Sequence, residues 1–227
     1  MEIREIGLGF MRSGGKRLRP RLCEEVYRSL LPDGTADLSP LEEALESFHK
    51  ASLIHDDIQD GDGERYGRPT VWKAHGVPMA IAVGDWLLAH GVSLIAASSF
   101  PNRHEMISAT ADAILRLSEG QGAELAGSDD YVSVAAGKTG SLFALAAELG
   151  ALAAGTDPAP YREWGRTFGV LFQIRDDLAD GDASADLLAL KDEFERRLAA
   201  LPVGETFLTA PLAVCDGPLD GVGCTLA

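Results

Sequence analysis

Apolar residues recur at steps of three and four along most of the chain, which is the period of an amphipathic helix. The segments that show this period most clearly are 39–60, 77–98, 103–119, 131–155 and 160–180. Breaks that contain Gly or Pro separate them, and the two-residue alternation typical of strands is scarce. The pattern therefore predicts an all-α protein.

The domain organisation follows from the same pattern. No linker and no change of composition divides the chain, so we predict a single domain over residues 1–227. Beyond residue 181 the helical period weakens. One further amphipathic helix is expected over 186–201, and the Gly- and Pro-containing tail, roughly 203–227, is expected to be irregular.

Composition narrows the possible environments. The chain has 227 residues, of which 46% are hydrophobic and 24% are charged, as is ordinary for a globular protein. A net charge of −15 argues against nucleic acid as a partner. No uninterrupted run of 18 apolar residues occurs, so no membrane span is predicted. Three cysteines without metal-binding spacing favour a reducing, cytoplasmic location.

Two copies of the pattern Asp-Asp-x-x-Asp, which begin 120 residues apart, are the most distinctive feature of the chain. Their acidic residues are Asp56, Asp57, Asp60, Asp176, Asp177 and Asp180. Helical positions i and i+4 share a face, so each copy directs at least two carboxylates the same way. Because clustered carboxylates repel one another, we expect them to hold Mg²⁺, which binds carboxylates together with substrate phosphate. The alternative is that these acids lie on solvated helix faces.

A basic stretch stands out in this acidic chain. Residues 12–21 contain five cations and no acid, namely Arg12, Lys16, Arg17, Arg19 and Arg21. Gly14 and Gly15 would let backbone N–H groups approach a small polyanion such as a diphosphate. A solvated basic turn and a nucleic-acid patch are the alternatives.

Two further polar residues share the helix faces of the acidic motifs. His49 lies about two turns before Asp56 on the same face, and Gln173 lies one turn before Asp177. A histidine at such a place can also be a packed or hydrogen-bonded bystander.

Six ordered motifs, GGKRLRP, LIHDDIQD, GRPTVW, VGDWLLA, GKTGSLF and FQIRDDLAD, resemble those of the trans-isoprenyl diphosphate synthase (polyprenyl synthetase) family. The resemblance runs from about residue 6 to residue 181. It implies an isoprenoid synthase bundle of helices around a central cavity, commonly as a homodimer. It also implies Mg²⁺-assisted ionisation of an allylic diphosphate and condensation with isopentenyl diphosphate to a linear trans-polyprenyl diphosphate.

The resemblance also assigns roles to residues. The six aspartates would hold a trinuclear Mg²⁺ group on the allylic diphosphate. Supporting contacts to that diphosphate would come from Arg65, Lys138, Thr139 and Gln173. The site for isopentenyl diphosphate would comprise Lys16, Arg19 and His49. Small residues at Ala51 and Ser52, before the first motif, favour a product of geranylgeranyl length or longer.

Several departures from the family pattern affect these expectations. Tyr66 replaces the second arginine of the usual Arg-Arg-Gly, which weakens the expected isopentenyl diphosphate site. Only about 13 residues precede GGKRLRP, and the usual Lys-bearing loop after Asp180 is not recognisable. We therefore expect a fold shortened at the N-terminus and after the second acidic motif. The alternatives are a terpene cyclase, a prenyltransferase with a non-isopentenyl acceptor, or a non-catalytic subunit of a heteromeric synthase.

Overall fold

A computed structural model describes residues 2–181 and 184–201. Its helices are α1 (Ile3–Met11), α2 (Leu18–Leu30), α3 (Ser39–Asp60), α4 (Val71–His75), α5 (Val77–Ala97), α6 (Arg103–Leu125), α7 (Tyr131–Ala135), α8 (Ser141–Ala153), α9 (Ala159–Ala179) and α10 (Ala185–Ala200). A π-helical segment, Ala136–Gly140, joins α7 to α8. The strands form a short antiparallel hairpin of β1 (Glu64–Arg65) and β2 (Arg68–Pro69). The prediction of an all-α fold is confirmed.

The boundaries of the helices differ from the predicted ones at two places. The segment predicted as one helix over 131–155 is divided into α7, the π-helical segment and α8. Helix α6 continues to Leu125 instead of ending at residue 119. Gly120, inside this extension, is a packing contact, because a Cβ on Gly120 would lie 2.7 Å from the Cα of Gly137. Helices α1 and α2 were not predicted.

The core lies where α8 packs against α2 and α9, with α3 and α6 alongside. Phe48, Phe143 and Trp164 are fully buried in it. The rings of Trp164 and Phe168 stack with their centroids 5.1 Å apart. Burying an apolar side chain of this size contributes about 1.5–3 kcal/mol, so each member of this aromatic group stabilises the bundle.

Close backbone contacts fix the position of the π-helical segment. It lies between α6 and α9, and each contact uses a pair of glycines. Gly137 meets Gly120 of α6, and a Cβ on Gly169 of α9 would lie 2.6 Å from the Cα of Gly140. A Cβ on Gly120, Gly137 or Gly169 would overlap the facing backbone. The segment carries Lys138 and Thr139, so their backbone positions are set by both neighbouring helices.

Helix α5 is long and apolar enough to cross a membrane, with a mean hydropathy of 1.6. Core helices of soluble proteins pass the same test, so this helix alone does not indicate a membrane protein. It packs chiefly against α3. The expected irregular tail, roughly 203–227, lies outside the described residues. The single domain stays a prediction.

Candidate active site

A cavity of about 310 Å³ lies between α3, α6 and the π-helical segment. Asp56, Arg19 and Lys138 bring charge to its wall. Its apolar lining comes from Leu88, Ile114, Leu117 and Leu125. The same hollow can therefore accept an anionic group at one part and hydrocarbon at another.

The first acidic motif is largely buried. Asp56 and Asp57 are 5% and 1% exposed, whereas Asp60 is exposed. Burial raises the pKa of Asp56 to about 6, against the opposing effect of the nearby Lys138 ammonium. Burial also raises the pKa of Asp57, although Arg65 Nε donates a hydrogen bond of 2.6 Å to Asp57 Oδ1 and opposes that rise. Asp56 and Asp57 are therefore not acids on a solvated face.

The buried carboxylates of this motif fit a divalent cation. Asp57 Oδ2 is buried and accepts no hydrogen bond, so it has an oxygen available for a metal. Among the residues that the structure describes, no three His, Cys, Asp or Glu side chains converge on one point. Mg²⁺ usually takes one or two carboxylates and completes its octahedron with water and phosphate oxygens. The residues therefore suit a cation shared with a phosphate-bearing ligand.

Of the second acidic motif, Asp177 lines a second hollow, of about 240 Å³, whereas Asp176 and Asp180 do not. Asp177 accepts hydrogen bonds at both carboxylate oxygens, from Gln173 Nε2 at 2.9 Å and from the Tyr131 hydroxyl at 2.5 Å. Thr139 Oγ1 donates to Gln173 Oε1 at 2.6 Å, which orients the Gln173 amide. Asp176 is buried, and Asp180 is exposed at the C-cap of α9.

Lys138 connects the two hollows, because its side chain lines both. Its ammonium forms a short ion pair with Glu124, which lies near the end of α6 and lines the second hollow. The structure thus brings Asp56 and Asp177, one from each acidic motif, to hollows that share one lysine. Sequence reasoning missed Glu124 and Tyr131. Both precede the GKTGSLF motif, and Glu124 lies between the predicted helices 103–119 and 131–155.

The three residues expected to bind a second diphosphate are placed differently from one another. Arg19 is buried, lines the first cavity and lies over the Phe143 ring at 4.6 Å. His49 is buried, and its Nδ1 forms no hydrogen bond. Burial, together with nearby cations, holds the pKa of His49 well below its usual value, so the imidazole is neutral. Lys16 is exposed and lines neither of the two hollows.

Comparisons with known proteins all match this chain to prenyl diphosphate synthases. The profile of the family described as polyprenyl synthetase matches residues 2–189. Geranylgeranyl diphosphate synthase of Cereibacter sphaeroides is 36% identical over 198 residues, which cover 81% of this chain and 68% of that protein. Geranylgeranyl diphosphate synthase of Mycobacterium tuberculosis is 35% identical over 212 residues, which cover 84% of this chain and 58% of that protein. Geranylfarnesyl diphosphate synthase of Aeropyrum pernix is 35% identical over 187 residues, which cover 75% of this chain and 59% of that protein.

Solved structures share the fold. Geranyltranstransferase of Thermotoga maritima superposes with a TM-score of 0.76 at 26% identity, over 87% of this chain and 82% of that one. Geranylgeranyl pyrophosphate synthetase of Pyrococcus horikoshii superposes with a TM-score of 0.70 at 32% identity, over 82% and 61%. The chain spans 54% to 68% of the length of the first curated relatives that it matches.

Proposed function

We propose that this chain, which belongs to the polyprenyl synthetase family, condenses an allylic diphosphate with isopentenyl diphosphate to a linear trans-polyprenyl diphosphate. The observation that carries the proposal is the cavity that combines Asp56 and Lys138 with a wall of leucine and isoleucine. The relatives described above are named as synthases of linear prenyl diphosphates. Their names favour chain elongation over a cyclase or a non-catalytic subunit.

The acidic motifs would bind the allylic diphosphate through divalent cations. Members of this family use divalent metal, and we propose three Mg²⁺ ions held by Asp56, Asp57, Asp60, Asp176, Asp177 and Asp180. When bound, Mg²⁺ would neutralise charge on the leaving diphosphate. Lys138 and Arg65 would stabilise the same developing charge with their cationic groups. Thr139 and Gln173 would orient Asp177 and contact the diphosphate.

The reaction would proceed by ionisation and addition. The allylic C–O bond breaks, and the diphosphate leaves with the electron pair. The double bond of isopentenyl diphosphate then attacks the allylic carbocation and forms the new C–C bond. A proton is lost from the adjacent carbon to the departed diphosphate, so the protein needs no dedicated base. Lys16, Arg19 and the neutral His49 would hold isopentenyl diphosphate close to the cation.

Product length would depend on the residues before the first acidic motif. Ser52 lines the cavity, whereas Ala51 is fully buried in the packing between α3 and α5. A small residue at Ser52 leaves room for a growing chain, which supports a product of geranylgeranyl length or longer. We also propose that the protein acts in the cytoplasm as a homodimer.

Product analysis tests the proposal directly. The protein is incubated with Mg²⁺ and a panel of allylic diphosphates, with and without isopentenyl diphosphate, and products are identified by mass spectrometry. Longer diphosphates that form only with both substrates support elongation. Hydrocarbon or alcohol formed from the allylic substrate alone would identify a cyclase. Turnover that requires a second, homologous protein would identify a non-catalytic subunit.

A further inference from the structure

Lys50 is a fully buried lysine on α3, next to His49. Its ammonium donates a hydrogen bond of 2.7 Å to the carbonyl oxygen of Gly14. It lies 3.9 Å from Glu46 Oε1, on a side chain that is itself 2% exposed. The rings of Phe10 and Tyr66 face it, with centroids at 5.2 and 4.7 Å. We call Lys50, Glu46, Phe10 and Tyr66 the Lys50 cluster.

Stability alone does not explain the Lys50 cluster. Removing an ammonium and a carboxylate from water costs several kcal/mol per ion, and their mutual attraction often fails to offset that cost. Apolar side chains of similar volume are commonly as stable or more stable in such a place. In some proteins a buried polar or ionic group instead fixes one geometry for the groups that it contacts. Here that group is the backbone of Gly14.

The loop that Lys50 contacts has an unusual backbone. Gly14, Gly15 and Arg17 have φ angles of 117°, 105° and 50°, all in the left-handed region that favours glycine. Tyr66 packs beside the loop, because a Cβ on Gly14 would lie 3.5 Å from its Cγ. Lys16 and Arg17 are exposed on the same loop. The Lys50 cluster therefore supports, from inside the fold, a loop whose outer side is strongly cationic.

We propose that Lys50 is a positioning residue for the diphosphate of the non-allylic substrate, acting through its hydrogen bond to Gly14. The inference rests on the proposed function. The hydrogen bond fixes the Gly14–Arg17 backbone so that Lys16 and the loop amides meet the anion without prior ordering. Preorganisation of this kind appears in substrate affinity, because a loop that must first become ordered loses binding energy. Lys50 need not touch the substrate.

Two variants separate this role from a general effect on folding. Lys50→Met removes the ammonium at similar length but leaves Glu46 buried without it. The double variant Lys50→Met/Glu46→Gln removes both charges and keeps the volume. We expect the KM for isopentenyl diphosphate to rise about tenfold in the double variant, the loss typical of one hydrogen bond to a charged group. The KM for the allylic diphosphate and kcat should stay within about twofold of wild type.

A second measurement follows the loop itself. Hydrogen exchange at the amides of residues 14–17 should be faster in the double variant, and inorganic diphosphate should protect these amides in the wild type. Lys73→Met is the matched control, because Lys73 is an exposed lysine that faces the Trp72 ring at 5.2 Å. It should change neither KM nor exchange in the loop.

The outcomes are distinguishable. An unchanged KM for isopentenyl diphosphate in the double variant, or an equal rise in both KM values, would overturn the inference. If the wild type elongates no allylic diphosphate, the proposed function fails. The hydrogen-exchange measurement then tests the inference by itself. In that case, failure of inorganic diphosphate to protect residues 14–17, or equal protection in wild type and double variant, overturns it.

Discussion

Replacing Asp56 by asparagine should make the metal-free protein more stable while it abolishes turnover. Asp56 is 5% exposed, and burial raises its pKa from 3.8 to about 6. Each pKa unit corresponds to 1.36 kcal/mol. Keeping Asp56 ionised in the folded state therefore costs roughly 3 kcal/mol, and Asp56→Asn removes that cost without removing volume.

The sign of the effect fixes its pH dependence. The folded state binds the Asp56 proton more tightly than the unfolded state does, so ionisation destabilises the fold as pH rises. The destabilisation is absent below about pH 3.8, about half developed at pH 5 and complete above about pH 6. The gain from Asp56→Asn should thus approach 3 kcal/mol at pH 8 and fall to about half of that at pH 5.

Urea unfolding with excess EDTA at pH 5 and pH 8 measures the gain. Asp60→Asn is the matched control, since it makes the same charge change one turn later on the same helix at an exposed side chain. It should alter the free energy of unfolding by less than about 1 kcal/mol. A gain for Asp56→Asn that is zero, negative or equal at the two pH values would refute the reasoning. In the wild type, added Mg²⁺ and diphosphate should raise the free energy of unfolding by mass action.

Three further substitutions test the site. Asp177→Ala should abolish elongation in a radiometric assay with an unchanged far-ultraviolet circular dichroism spectrum, because the variant loses, at a partly exposed position, a carboxylate that we propose binds metal. Activity near wild type would remove Asp177 from the site. Ser52→Phe should shorten the product seen by mass spectrometry, because the phenyl ring would enter the apolar cavity. An unchanged product distribution would contradict the proposal that the growing prenyl chain occupies this cavity. Tyr66→Arg should raise the KM for isopentenyl diphosphate, because a guanidinium would replace the ring that faces the Lys50 ammonium at 4.7 Å; a lower KM would contradict this.

The expectation for Tyr66→Arg differs from the one that sequence alone suggests. The family pattern has a second arginine at position 66, which would make this substitution a repair. Position 50, however, holds a buried ammonium next to the Tyr66 ring. A cation introduced there meets a like charge, so the effect of the residue at 66 depends on the residue at 50. Only the tertiary structure brings these two positions together.

Helical periodicity predicted the bounds of those helices whose ends depend on local sequence alone. Helices α3, α5 and α9 begin and end within a residue of the predicted segments. The predicted end of α6 at residue 119 was wrong, because the helix continues through Gly120 to Leu125. Gly120 is a contact with Gly137 on another element. Glycine as a breaker and glycine as a packing contact look the same in one sequence, and only the neighbouring backbone distinguishes them.

The candidate site divides in the same way. The acidic motifs, His49 and Gln173 were identifiable because helix geometry relates residues three, four and seven apart. The partners of these groups are distant in sequence, since Tyr131 lies 46 residues from Asp177 and Glu124 lies 14 from Lys138. No local spacing rule relates such residues. Burial, which raises the pKa of Asp56, also depends on all the helices that pack around it.

Several charged groups in the two hollows or next to them already have partners of their own. Asp57 is bonded to Arg65, Lys138 to Glu124, and Asp177 to Tyr131 and Gln173. A diphosphate that draws Lys138 away leaves Glu124 without this cation. A metal bound at Asp57 Oδ2 weakens the attraction between that carboxylate and Arg65, which donates to Oδ1. Each of these losses is unfavourable alone, and the arrival of the other ligand compensates each. Under the proposed function, metal and diphosphate should therefore bind cooperatively, because each ligand supplies the charge that the other removes.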